Sequence, residues 1–559
     1  MRTAILAGIL VGLGSVGGLV YLRELQRGAE VEADARADAV ETKDPSDASG
    51  DDDGTESAGR ADADDPPPEL ALVLGSAALP LPSMPEVSKR LPMVGPNGKD
   101  RWGYPLKQPD EVALRTLLLE GRFDELEKHF SAYEKSQRKD HKFEYWPVRA
   151  CAAFHVSHPR LVTALEAWRE AKPDSYAATC AWGQHLEKKA WDARGNGAPG
   201  EIDAAKQAAF IKAIEEAQAT YARALEINPK GLAAANQLIL LARDLGLADD
   251  ERLERLQTAR HNCLRCTSPY EAYLEGLRTR WGGSPEVQEA YLKPRAGETA
   301  PSRIQSLAGF PHADRCQQLM AEQQFDAAIL ECRRAVKVGD YQEDLVDALR
   351  ASGRLDKAAE LAARVLEKKP SSVPAMEALF QDAQAREALD ESAPLVLQMR
   401  RLAPSNPLWA ERANSTLEAL AVAAEAEIQE EQPRRAEKHV DLCLQINPDD
   451  RDCWALRGKI IAASPKGIDK LRKRVAANPD DFDAYRTLDS VLAKEADYAA
   501  ITEAWDEFIE RHPEHSRAFF ERAAARRQLG DRDGTVADVE KACSLGLALA
   551  CNQAEQIAG

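Results

Sequence analysis

The sequence predicts an all-α protein built as an α-solenoid of antiparallel helix pairs, and three observations carry that prediction. From about residue 108 onward, apolar residues recur with a period of 3.6. The pattern is punctuated at regular distances: Pro370, Pro404, Pro448, Pro479 and Pro513 close successive helices at intervals of 34, 44, 31 and 34. A spacing near 34 residues, with two helices per unit, is what stacked helix pairs produce. Alanine is abundant and only 6% of residues are aromatic, which suits close helix packing through small side chains better than a β-sandwich.

The 559 residues carry a formal charge of −19, and that charge is unevenly spread. Residues 29–69 hold 15 acids, from Glu30 to Glu69, against Arg36, Lys43 and Arg60, a net of −12 that leaves −7 for the rest. No basic stripe is present, so nucleic acid is not an expected partner. Residues 4–22 form a 19-residue run without a charge, nearly long enough to span a hydrocarbon core of roughly 30 Å. Arg2 precedes the run and Tyr21 stands at its interfacial end. The expectation is an uncleaved transmembrane anchor over residues 1–27, with a cleaved signal peptide as the rival. The small-residue triplet Ala33-Asp34-Ala35 lies far beyond the apolar run for a cleavage site. Gly8/Gly12 and Gly14/Gly18 are GxxxG pairs through which two anchors could pack as a homodimer. Residues 28–98, running through Asp51-Asp52-Asp53 to Pro66-Pro67-Pro68, read as a disordered acidic linker.

The body divides into residues 108–300 and 311–559. In the second part, Gly353, Ala358, Ala362 and Pro370 stand at the small and closing positions of one helix pair. Trp454 with Arg457-Gly458 opens another. Tyr485, Leu488, Tyr498, Trp505, Phe508 and Pro513 mark the next, and Phe519, Arg522-Ala523, Gly530 and Ala542 the last. This pattern resembles the tetratricopeptide (TPR) repeat, which implies a peptide-binding groove lined by the first helix of each pair. Counted from the closing prolines, the groove positions are Asp452, Lys459, Arg486, Lys494, Arg517, Phe520, Arg527 and Gln528. Their basic excess would suit an acidic or carboxyl-terminal peptide. The plainer reading is a solvated face, and the protein's own tail 29–69 is another candidate occupant.

The first part follows the same logic less regularly. Gly121, Phe123 and Phe130 share one helix pattern; Ala217, Tyr221, Ala224 and Pro229 share another; Trp182-Gly183 supplies a bulky–small pair. Two elements depart from plain repeats: a turn at Arg194-Gly195 and a turn at Trp281-Gly282-Gly283-Ser284. Their order resembles an uncharacterised helical bacterial domain family with no assigned biochemical role. The glycines and Trp281 read as parts of rigid turns, while a small pocket around Arg194 would favour an enzyme or a small-ligand domain. His155 and His158 lack a third ligand at metal-site spacing, and no GxSxG, Walker A, HExxH or GxGxxG motif is present. No catalytic residue, metal or cofactor is therefore expected.

Ten cysteines are too few for a disulfide scaffold. Cys316 and Cys332 fall at small-residue positions of one helix pair, as a bridge or as buried thiols. Cys263 and Cys266 form a CxxC without the βαβ context of a redox fold, and read as a local bridge or two free thiols. Cys543 and Cys551 flank a glycine-centred helix break that resembles Sel1-like repeats, which implies a bridge between consecutive helices. The sequence as a whole predicts a membrane-anchored scaffold or adaptor that binds a protein or peptide. Its expected place is the bacterial inner membrane with a periplasmic body, or the periplasm or exterior after signal cleavage.

Overall fold

The computed structural model describes residues 79–195, 202–293, 305–464 and 466–558. The uncharged run 4–22, its GxxxG pairs and the acidic stretch through residue 78 lie outside the described residues. No helix among the described residues is long and apolar enough to cross a membrane. Regular structure there is helical, apart from two short antiparallel strands, Met93–Val94 and Gln108–Pro109, paired Met93↔Pro109 and Val94↔Gln108. The chain folds as two compact units, one containing Lys89–Ala378 and the other Pro80–Ser88 with Leu379–Gly559.

Within each unit a helix packs on the next and, in the regular stretches, on the next but one. Phe310–Ala321, Phe325–Val338 and Gln342–Ala351 do so in the first unit, and Leu389–Leu402, Pro407–Gln429 and Pro433–Ile446 in the second. The five closing prolines each follow a helix end, at Lys368, Leu402, Ile446, Ala477 and Arg511. A proline disfavours the helical conformation in the residue before it, so the helix stops short of it.

In the regular pairs the turn contains one residue with positive φ. Gly121, Gly353 and Gly530 supply it at φ +66°, +74° and +79°. Elsewhere the same turn is made by Gln323, Glu387, Glu431 and Ala496 at φ +54° to +59°. The left-handed conformation thus recurs at the repeat spacing whether or not glycine is present, because stacking with the neighbouring helices over-determines it.

Residues 79–98 depart from the linker expected to run through residue 98. Leu79-Pro80-Leu81-Pro82-Ser83-Met84-Pro85 is extended, since each proline fixes its own φ and biases the preceding residue toward β or polyproline II. Leu81 is buried in the second unit. Downstream, Tyr133 donates to the Pro92 carbonyl at 2.7 Å, and Arg101 donates to the carbonyls of Val338 and Gly339 at 2.7 and 2.8 Å, all within the first unit. The sequence signal overlooked was the Pro-x-Pro spacing, which pre-orders a backbone that has no internal hydrogen bonds to lose.

All ten cysteines are paired: Cys151–Cys180, Cys263–Cys266, Cys316–Cys332, Cys443–Cys453 and Cys543–Cys551. The first and fourth pairs were not foreseen. Cys151 and Cys180 come from the separate helices Tyr145–Ala152 and Tyr176–Arg194, whereas Cys443 and Cys453 bracket the Asn447-Pro448 turn.

Ala496→Gly relieves the left-handed strain and is expected to raise unfolding stability by roughly 0.5–1 kcal/mol in urea titrations. Replacing Cys151 and Cys180 together by Ser removes a 29-residue cross-link and is expected to cost about 3.5 kcal/mol by loop entropy. The same change at Cys263 and Cys266 is expected to cost about 2 kcal/mol or less, because that loop is so short.

Candidate functional site

One buried polar cluster of the first unit lies around Asp244. Helix Tyr176–Arg194, capped by the Ser175 hydroxyl, packs on helix Ala204–Ile227 where Gly183 faces the Tyr221 ring. A Cβ at Gly183 would lie 2.6 Å from that ring, so only glycine lets the ring approach this closely. Tyr221 is thereby fixed, and its hydroxyl accepts from Gln184 Nε2 at 2.7 Å. Glu187, one turn along, is buried beside Tyr221, and burial together with the Asp244 charge pushes its carboxyl up to about 8.

Asp244 ends helix Leu232–Asp244 and is paired with its neighbour Arg243 at 2.6 Å, both side chains being buried. Burial raises the Asp244 carboxyl above its ordinary range, although Arg243, Arg280 and Arg194 oppose the shift. Arg194 is buried at the end of its helix, with its guanidinium 5.5 Å from the Trp191 ring centre. Gly195 follows at φ +74°. The two unusual turns of the sequence therefore both bear on one carboxyl: the charges of Arg194 and of Arg280, from the Trp281 turn, each favour ionised Asp244.

That second turn is held rigidly. Gly282 has φ +88°, and a Cβ at Gly283 would lie 1.9 Å from the Leu277 carbonyl oxygen, so each glycine is required for a different reason. The turn presents Trp281 to two guanidiniums, those of Arg243 at 4.6 Å and Arg280 at 5.5 Å from the ring centre. Arg278 is buried and donates twice to Glu275, at 2.6 and 2.7 Å, and once to Gln317 at 3.1 Å. Burial pushes Glu275 up, but Arg278 and Arg280 bring it down to about 2. Arg280 is lowered to about 9 by burial and by the neighbouring Arg278 charge. Sequence reading singled out Arg194 and Trp281 but missed Glu187, Arg243, Asp244 and Glu275. A charged pair at the end of an otherwise uncharged helix, Leu241-Ala242-Arg243-Asp244, is the available signal.

In the second unit the groove positions are not the free basic face that was expected. Arg486 and Arg517 are buried between Asp449 and Glu521, with Arg486 at 3.5 and 3.2 Å and Arg517 at 3.4 and 2.8 Å from them. Burial pushes Glu521 up, yet Arg517 and Arg486 hold it below the usual carboxylate range. Phe520 is buried under Arg517, and Lys459 pairs with Glu425 at 2.7 Å. Asp452, Lys494, Arg527 and Gln528 are exposed. The expectation counted cations on the first helix of each pair. It overlooked Asp449, which lies in the turn before helix Arg451–Ala463, and Glu521, one helical turn beyond Arg517.

What this unit does hold is the extended segment at Pro80–Ser88. Buried Arg400 donates to the Pro80 carbonyl at 2.5 Å and Arg401 to the Ser83 carbonyl at 2.6 Å. The Ser83 N–H donates in turn to the Gln445 carbonyl at 2.8 Å. Elsewhere in this unit, the one grouping of metal-type donors among the described residues is Cys443, Asp450 and Cys453, whose sulfurs are bonded to each other. His155 and His158 do not assemble with a third donor there.

Residues 111–249 match a family described as a domain of unknown function (DUF4034). The match includes Glu187, Arg194, Tyr221, Arg243 and Asp244 and stops short of the Trp281 turn. No curated protein sequence matches the chain. Among solved structures, the TPR domain of P58(IPK) is 13% identical, covering 77% of this chain and 96% of its own, with a TM-score of 0.19. The structure of Naa15/Naa10 bound to HypK-THB is also 13% identical, covering 77% of this chain and 68% of its own, with a TM-score of 0.25.

Glu187 titrates near 8 in the folded protein and at an ordinary 4.5 when unfolded. The stability it contributes is full below pH 4.5 and is lost as pH rises to about 8. Glu187→Gln, which cannot ionise, is expected to flatten this decline. In thermal melts the variant should match the parent near the acid end and gain on the order of a few kcal/mol above pH 8.

Proposed function

We propose that this protein is an exported, disulfide-bonded helix-pair scaffold that captures extended, proline-containing segments of protein partners in its second unit. One observation carries the reading. Residues 80–88 of the chain itself already lie there as an extended ligand, read through backbone carbonyls by Arg400 and Arg401 and through the buried side chain of Leu81. Recognition through carbonyls suits any segment whose prolines keep it extended, since little ordering entropy is lost on docking. The buried side chain then sets a preference for an apolar residue between prolines. Binding, not catalysis, is the proposed activity.

Export is supported by five cross-links that leave no free cysteine among the described residues, because disulfides persist in oxidising compartments. The uncharged run 4–22 supports an inner-membrane anchor with the body outside the cytoplasm. The Asp449–Arg486–Glu521–Arg517 network argues for the same mode of binding and against an acidic peptide, since those cations are already neutralised.

The test is a fluorescent peptide of residues 79–87, added in trans to the full chain and followed by anisotropy. Wild type should bind weakly, because its own segment competes. Leu81→Asp should free the site and tighten peptide binding about tenfold, and adding Arg401→Ala should remove the gain. Equal weak binding to all three proteins would sink the proposal.

A further inference from the structure

The Trp281 cluster of the first unit carries more donors than its own acceptors can use. Arg280 Nε and Nη1 and Trp281 Nε1 are buried atoms with no hydrogen-bond partner among the described residues. The remaining Arg280 nitrogen, Nη2, makes a 3.3 Å contact to Glu275 Oε2, but that carboxylate is already held by both arms of Arg278. Asp244 is likewise committed to Arg243 at 2.6 Å. Buried donors without acceptors are rare in native proteins and ask for a partner.

The electrostatics point the same way. Arg243 and Arg280 stand within 5.5 Å of one indole centre, and Arg278 adds a third positive charge beside them. Burial, and after it the Arg278 and Arg243 charges, hold Arg280 down at about 9 although Glu275 and Asp314 oppose the shift, so its charged form gains from a further anion. Solvent reaches the cluster at the turn, where Gly282 is exposed and Arg280 and Trp281 are partly so.

We propose that the Arg280 and Trp281 side chains form a binding site for a phosphate-type oxyanion carried by a small molecule. A guanidinium fork supplies paired N–H donors, and the indole N–H adds a donor from a separate direction. A tetrahedral anion has enough acceptor oxygens to meet both groups at once, whereas a carboxylate has two oxygens in one plane. Glycines at 282 and 283 fix the turn, so the donors are positioned before the ligand binds. This site is independent of the peptide segment held by the second unit, and either assignment can fail alone.

Inorganic phosphate titrated into the full chain by calorimetry at constant ionic strength, with sulfate, acetate and chloride in parallel, tests the site. Phosphate and sulfate should bind at one site per chain, and acetate about tenfold more weakly. Arg280→Gln should weaken phosphate by about tenfold or more, and Trp281→Phe, which keeps the ring and removes its donor, by about threefold. Arg527→Gln, an exposed arginine of the other unit, should leave phosphate affinity unchanged. No phosphate binding above the chloride control overturns the proposal, and so does acetate binding as tightly as phosphate. Unchanged affinity in Arg280→Gln does the same. Should that variant not fold, unchanged affinity in Trp281→Phe decides against the site.

Discussion

The aromatic ring of Tyr221 lies against the bare backbone of Gly183, and much of the first unit is arranged by that contact. With no Cβ between them, helices Tyr176–Arg194 and Ala204–Ile227 come close enough to shut Glu187 away from water beside the Tyr221 hydroxyl. A carboxyl buried in this way stays protonated at neutral pH. It therefore offers Arg243 no formal charge, and Asp244 is left as the partner of that guanidinium. Arg243 then spans from Asp244 to the face of Trp281. A packing contact between a small and a large residue thus bears, through Glu187, on which carboxylate meets Arg243.

The second unit solves a different problem with the same kind of helix pair. Arg486 and Arg517 do not project into solvent but are laced to Asp449 and Glu521, so two cations of this face are matched by two carboxylates. Buried ion pairs of this kind contribute little net stability, but removing one partner leaves an uncompensated buried charge. The two arginines that do meet a peptide, Arg400 and Arg401, address main-chain oxygens. Under the proposed function, specificity there would come from backbone conformation and one buried leucine, not from charge.

The five disulfides bind elements that are mostly neighbours in sequence. Four of them close 3 to 16 residues and fasten adjacent turns or helices, while Cys151–Cys180 joins helices separated by another helix. A solenoid is held together chiefly by contacts between neighbours. Local cross-links therefore reinforce individual steps, and the longer one ties together a stretch of the less regular first unit.

The sequence by itself determined the helix-pair architecture, the helix ends at the closing prolines, and the small-residue positions where helices approach. These are local consequences of period, proline geometry and side-chain size, so they can be read from a few adjacent residues. It also marked Arg194 and the Trp281 turn as departures from the repeat. Tertiary structure alone decided that those departures meet at Asp244, that Arg486 and Arg517 are neutralised by acids from other turns, and that Cys151 reaches Cys180. It also placed Pro80–Ser88 in a unit that begins almost 300 residues later in the chain. Each of these depends on which distant side chains share a low-dielectric interior, and there the sign and partner of a charge are set by neighbours in space, not by its place in the repeat.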